Sequence, residues 1–116
     1  MEQDLLAAIA AYCAHLRANY VAWHAECGYK SAPTAADAWM QDASGKNVVR
    51  IVYYFGSQRS SHSFVVLRDY SARGKDWKRG DILKSAEWKT PAFNFIRGNV
   101  FDPKSYAGIT WSGRFN

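Results

Sequence analysis

The chain has 116 residues, which fits one domain with one ordinary core, and 48% of its residues are hydrophobic and 16% aromatic. No run approaches the roughly 18 consecutive apolar residues of a membrane-spanning helix, and the opening MEQDLLAAIAAY lacks the basic region of a secretory signal, so neither is expected. The formal net charge of +5 is split unevenly: residues 1–45 hold two basic and five acidic residues (net −3), residues 46–116 thirteen basic and five acidic (net +8).

Residues 4–27 carry the pattern of a long helix. Leu5, Ile9, Tyr12, Leu16, Tyr20, Trp23 and Cys27 recur every three or four residues, one face of a 3.6-residue period. Alanines fill many positions between them and raise helix propensity. Gly28 stands where a left-handed cap would end the helix. Cys13 and Cys27 lie about 21 Å apart along it at 1.5 Å per residue, beyond the roughly 7 Å that a disulfide spans. Two free thiols suit a reducing cytoplasm, and Cys27, continuing the apolar stripe, is expected to be buried and inert.

Residues 29–46 read as a connection holding a short helix. Thr34 caps it, Asp37 sits at its positive end, and Trp39 and Met40 pack back on the long helix. The period then changes. Residues 48–55 (VVRIVYYF) and 64–70 (FVVLRDY) are rich in β-branched and aromatic residues, and the polar, Gly-led residues 56–63 join them as a hairpin with a long loop. Residues 71–80 (SARGKDWKRG) form a basic loop, and residues 81–84 a third short strand. Residues 92–96 form one turn of helix ended by Gly98, and residues 108–112 a final strand. The expected architecture is α+β: a single domain spanning residues 1–116, helical over residues 1–45 and basic and β-rich over residues 46–116. Its long N-terminal helix packs on a three- to five-stranded antiparallel sheet.

Motifs for catalysis are missing. The chain has no Gly-x-Ser-x-Gly elbow, no phosphate-cradling glycine loop, and no Cys-x-x-Cys or His-Glu-x-x-His metal spacing. His24 and Cys27, three apart on one helix, could meet His62 at a metal, but no ligand spacing supports it, and no metal or cofactor is expected. Ser60, Ser61 and His62 place a hydroxyl beside an imidazole in a loop without a third group to orient the base.

The basic stretch is more informative. Between Arg73 and Lys89, six basic residues face three acidic ones, with Trp77 and Trp88 interleaved. Cations hold a phosphate backbone and rings stack on bases. The candidate binding residues are Arg59, Arg73, Lys75, Trp77, Lys78, Arg79, Lys84, Lys89 and Arg97. Trp77, crowded by charges, is expected to be an exposed recognition ring. Trp88, near Ala86 and Pro91-Ala92-Phe93, is expected to be a core ring. The charge split is expected to place the helix and the basic loop on opposite sides.

The runs Trp88-Lys89-Thr90-Pro91-Ala92 and Arg97-Gly98-Asn99-Val100-Phe101-Asp102 resemble a segment of small uncharacterised proteins of phages and plasmids. The resemblance implies a mobile-element accessory protein that binds nucleic acid or blocks a host nucleoprotein, and it implies no catalytic residues. The leading reading is a small, non-enzymatic, cytoplasmic binding protein whose basic, aromatic β-half contacts nucleic acid or a host nucleoprotein complex. The alternative is a protein–protein inhibitor or adaptor, for example in anti-defence, that binds an acidic protein surface. A third reading is a small enzyme using His62 with Ser60 or Ser61. DNA, RNA and acidic protein partners, and the oligomeric state, stay open.

Overall fold

The apolar stripe of the N-terminal segment forms α1 (Gln3–Glu26), which buries Leu5, Ile9, Tyr12, Cys13 and Leu16. The stripe leaves the core near the helix end: Tyr20 and Trp23 are half-buried, and Cys27, now the C-cap, is exposed. The expectation of a buried Cys27 is thus corrected, because the helix stops one residue before it. Gly28 follows with φ +72°, the left-handed backbone that favours glycine. The computed structural model describes residues 2–28, 38–55 and 57–113. The proposed cap Thr34 and its partner Asp37 lie outside these residues.

The strands are β1 (Ala38–Ser44), β2 (Val48–Phe55), β3 (Gln58–Val66), β4 (Tyr70–Ala72), β5 (Lys75–Trp77), β6 (Asp81–Glu87), β7 (Thr90–Pro91) and β8 (Gly98–Asn99). They make one antiparallel sheet in the order β1-β2-β3-β6-β7, with β8 also pairing β6, and a separate β4–β5 hairpin. The class is α+β, and the main sheet has six strands rather than three to five. Residues 38–44, read as belonging to a helical connection, are the strand β1. Its Trp39 is buried against Tyr20 of α1 at 5.4 Å between rings, but the neighbouring Met40 stays about half exposed.

The β2–β3 hairpin is tighter than its composition suggested. Phe55 pairs with Gln58, so most of the expected loop is strand. Polar residues 58–60 are exposed there, and an exposed strand face needs no apolar side chains. Ile51 pairs with Ser63 and Val52 with Ser61, which leaves His62 as the extra residue of a β-bulge.

The sheet buries apolar residues on both faces. On β2, β3 and β6, Val49, Ile51, Val65 and Ile82 join the α1 core with Val100, Tyr106 and Ile109. The alternate residues Phe64, Val66 and Leu83, with the half-buried Val48, form a second cluster around Trp77. Strand side chains alternate between faces, and burial of both faces explains the unbroken apolar runs.

Two further expectations are corrected. Residues 92–96 are irregular rather than helical, since the backbone bonds Ala92 N to Lys84 O and Arg97 N to Ile82 O keep this stretch along β6. Residues 108–112 are not a strand, because side chains take their backbone groups. His15 bonds Ile109 O, His62 bonds Thr110 O, Asn19 Oδ1 accepts from Trp111 N, and Trp39 Nε1 donates to Trp111 O.

Candidate binding surface

The basic loop is a hairpin. Arg73 (φ 56°) and Gly74 (φ 75°) are two successive left-handed residues, the backbone of a tight turn whose twist matches the strands it joins. The turn sets Ala72 opposite Lys75 and Tyr70 opposite Trp77. Trp77 is 1% exposed. Its indole N–H donates to Ala72 O at 3.0 Å and its ring lies 5.5 Å from Phe93. It is a core ring, not the exposed recognition ring expected. Asp76 and Lys78 beside it are exposed: alternation along a strand turns neighbours to opposite sides, so charged neighbours do not hold a ring in water.

The hairpin tip meets residues 92–97. The Arg73 guanidinium lies 5.7 Å from the Phe93 ring centre. The Lys75 ammonium donates to the Asn94 carbonyl. The Arg97 guanidinium sits 3.8 Å over the Phe95 ring, close enough for cation–π attraction. Phe95 is 52% and Ile96 46% exposed. Three predicted cations therefore gather around one segment whose rings were not predicted. The signal is present in the run Phe93-Asn94-Phe95-Ile96-Arg97, but a helical reading turns it toward the core.

A second cluster forms on the side of β2 that also carries Val48. Trp88, in the turn between β6 and β7, is half-buried rather than a core ring. The Arg50 guanidinium lies 3.9 Å above it and Arg59's 5.2 Å away. Arg50 also donates to Trp88 O at 3.1 Å and to Asp42 Oδ2 at 2.8 Å, and Arg59 reaches the same carboxylate at 3.8 Å. The Arg59 side chain is largely in solvent, and Lys89 beside Trp88 is exposed. Sequence reasoning missed Arg50, although it is the lone charge in the apolar run of β2.

Other predicted residues go elsewhere. Arg79 grips the start of α1, at 2.6 and 3.0 Å from the Asp4 carboxylate and 3.8 Å from Glu2. Its hydrogen bond holds the Asp4 carboxyl below the ordinary range, and Asp4 in return raises Arg79. The basic segment and the helix therefore touch here, against the expectation that they lie on opposite sides; the Glu2 and Asp4 carboxylates at the start of α1 supply the partners for Arg79. Lys78 is exposed, and its backbone N–H is held by the buried Asp81. Lys84 is exposed on β6, opposite Ser63 of β3.

His62 is buried within β3, not in a loop. Its Nε2 faces the Thr110 carbonyl at 2.9 Å and so carries the proton. Its Nδ1 then accepts from Ser63 Oγ at 2.9 Å, and Ser63 accepts from the Tyr12 hydroxyl at 2.9 Å. The hydroxyl beside the imidazole is that of Ser63; Ser61 pairs with Ser85 at 2.6 Å. Burial depresses the His62 pKa to about 4 and pushes the Cys13 thiol up to about 12. Among the described residues, no group of three or more His, Cys, Asp or Glu is placed to hold a metal ion, and no helix is long and apolar enough to cross a membrane. No protein-family model, curated protein or solved structure matches the chain.

Proposed function

We propose that the chain is a non-enzymatic binding protein that holds nucleic acid on the surface built from the β4–β5 tip and residues 93–97. The observation that supports this reading is the gathering of three cations on one segment: Arg73 at Phe93, Lys75 at the Asn94 carbonyl and Arg97 over the exposed ring of Phe95. Cations hold phosphates and an exposed ring stacks on a base, a combination that favours single strands, whose bases are free to stack. Arg59, Trp88 and Lys89 extend the same chemistry along the sheet. Phe95 takes the stacking role that the sequence suggests for Trp77.

The test is fluorescence anisotropy with labelled single-stranded DNA and RNA over a range of salt. Three phosphate contacts give a slope of log K against log salt of about −2. Phe95→Ala weakens binding by about 1–3 kcal/mol, the worth of one stacked base. The double change Arg73→Glu, Lys75→Glu flattens the salt slope. A salt-independent affinity, or no effect of either variant, refutes the reading.

A second reading has its own observation. Ile96 is 46% exposed beside Phe95, and an aliphatic side chain adds little to base stacking but anchors well in a protein pocket. On this reading the chain is an inhibitor or adaptor that binds an acidic protein surface. Capture from a host with and without nuclease separates the two: a partner lost with nuclease supports nucleic acid, and a retained protein supports the adaptor.

A further inference from the structure

We infer that the cleft between the end of α1 and residues 110–112 binds an organic ammonium cation, a methylated or quaternary nitrogen. The cleft measures about 460 Å³ and is lined by Trp23 and Glu26 of α1 and by Trp111 and Ser112 across from them. It does not depend on the nucleic-acid reading, and none of its residues belongs to the surface described above.

Three features of the cleft favour positive charge. First, the Trp23 and Trp111 rings stand 4.8 Å apart at 49°, with Tyr20 edge-on to Trp111 at 5.1 Å. Aromatic faces are electron-rich, and tryptophan attracts cations most strongly. Second, the exposed Glu26 is the last residue of α1 and lines the same cleft. Third, the C-terminal end of a helix carries a partial negative charge, and α1 ends at this cleft, where, among the described residues, Cys27 N and Gly28 N cap only the Trp23 and Ala25 carbonyls of its last four. An anion would meet three unfavourable fields here, and a neutral ligand would gain no charge–charge attraction from Glu26. The one basic group of the last turn, His24, has its ring 5.7 Å from that of Tyr20.

The wall is also held in advance. Trp111 N donates to Asn19 Oδ1 at 2.8 Å, and Trp111 O accepts from Trp39 Nε1 at 3.2 Å. Both backbone groups that set the position of the Trp111 ring are thus fixed from α1 and β1. A preformed aromatic wall loses little freedom on binding. Methylated nitrogen suits it better than a bare ammonium, since it sheds water more readily and its methyl groups cover the rings. A choline-like small molecule and a methylated lysine side chain share this chemistry.

The experiment titrates the full chain with three probes, read by tryptophan fluorescence and calorimetry: choline, its neutral carbon isostere, and a short peptide carrying trimethyl-lysine. At least one ammonium probe is expected to bind, with the neutral isostere at least about tenfold weaker than choline. Glu26→Gln is expected to weaken ammonium binding by about three- to tenfold, and Trp23→Leu, which keeps apolar bulk, by about tenfold or more. Thermal melts of both variants show that they are folded. A peptide that binds about tenfold more tightly than choline assigns the site to a modified protein tail, and equal affinities assign it to a free ammonium compound. Equal binding of choline and its neutral isostere overturns the inference. So does the absence of any response to both ammonium probes, or unchanged affinity in folded Glu26→Gln and Trp23→Leu.

Discussion

Acidification is expected to destabilise the protein through His62. The ring is 6% exposed and is held in its neutral form, donating to Thr110 O and accepting from Ser63. Burial is the main cause that lowers its pKa from 6.5 to about 4; nearby His15 lowers it further, and the Thr110 bond opposes them. The sign follows from proton uptake. Above pH 6.5 the ring is neutral in both folded and unfolded chains, and its full contribution is present. Between about 6.5 and about 4 the unfolded chain binds a proton that the folded one does not, so stability falls as pH falls. Each unit is worth about 1.4 kcal/mol, so the loss across the window is about 3 kcal/mol. For a domain stable by about 5–15 kcal/mol that is a large share. Urea unfolding followed by tryptophan fluorescence at several pH values measures it. His62→Gln keeps a donor for Thr110 O but cannot titrate. All other titrating groups are common to the two proteins, so the difference between their stability curves isolates His62. A wild-type curve no steeper than that of His62→Gln through this window would falsify the assignment of a buried neutral ring.

The remaining predictions concern packing and the turn before β6. Trp77→Ala is expected to cost about 3–5 kcal/mol, as emptying a core site does, while Trp88→Ala costs about 1–2 kcal/mol; denaturant unfolding measures both. In single-tryptophan variants, acrylamide should quench Trp88 and spare Trp77. Arg79→Glu sets three carboxylates together at the start of α1 and should lower the melting temperature, while Lys78→Glu, one residue away and exposed, should leave it unchanged. Gly80 has φ +92°, and an added Cβ would come within 2.7 Å of both the Phe101 ring and Asn99 Oδ1. Gly80→Ala is therefore expected to cost more than about 1 kcal/mol in a thermal melt.

The helix was legible because its stripe runs from Leu5 to Trp23 at one period, and period is the strongest signal a sequence carries. The strand β2 was legible for a related reason, its dense β-branched content. What escaped notice depends on pairing between distant segments. β1 is a strand because β2 offers it an edge, and Ala38 to Ser44 carry little β-branched content of their own. The polar start of β3 is strand because Tyr53 and Tyr54 pair with Ser60 and Arg59. The candidate surface was legible at the level of charge: Arg73, Lys75 and Arg97 do converge on one segment. The rings were misplaced because exposure was inferred from sequence neighbours, and on a strand the next residue points the other way. Trp77 is the clear case. The pairing of Arg79 was hidden for another reason, since nothing local announces an ion pair to Asp4, 75 positions away.

The grip on residues 109–111 also bears on the order in which the protein is made. His15, Asn19, Trp39 and His62 come from α1, β1 and β3, yet each bonds to a backbone group between 48 and 94 positions further along the chain. A ribosome delivers the N-terminal partners first. Until residue 111 has left the exit tunnel, the buried imidazole of His62 has no carbonyl to receive its proton and Trp39 no acceptor for its indole. The helix and the sheet can meet earlier, but the donors meant for this strap stay in water or go unpaired. Native closure of this part of the core therefore waits for residues 109–111 to emerge, however early the helix and the hairpins form.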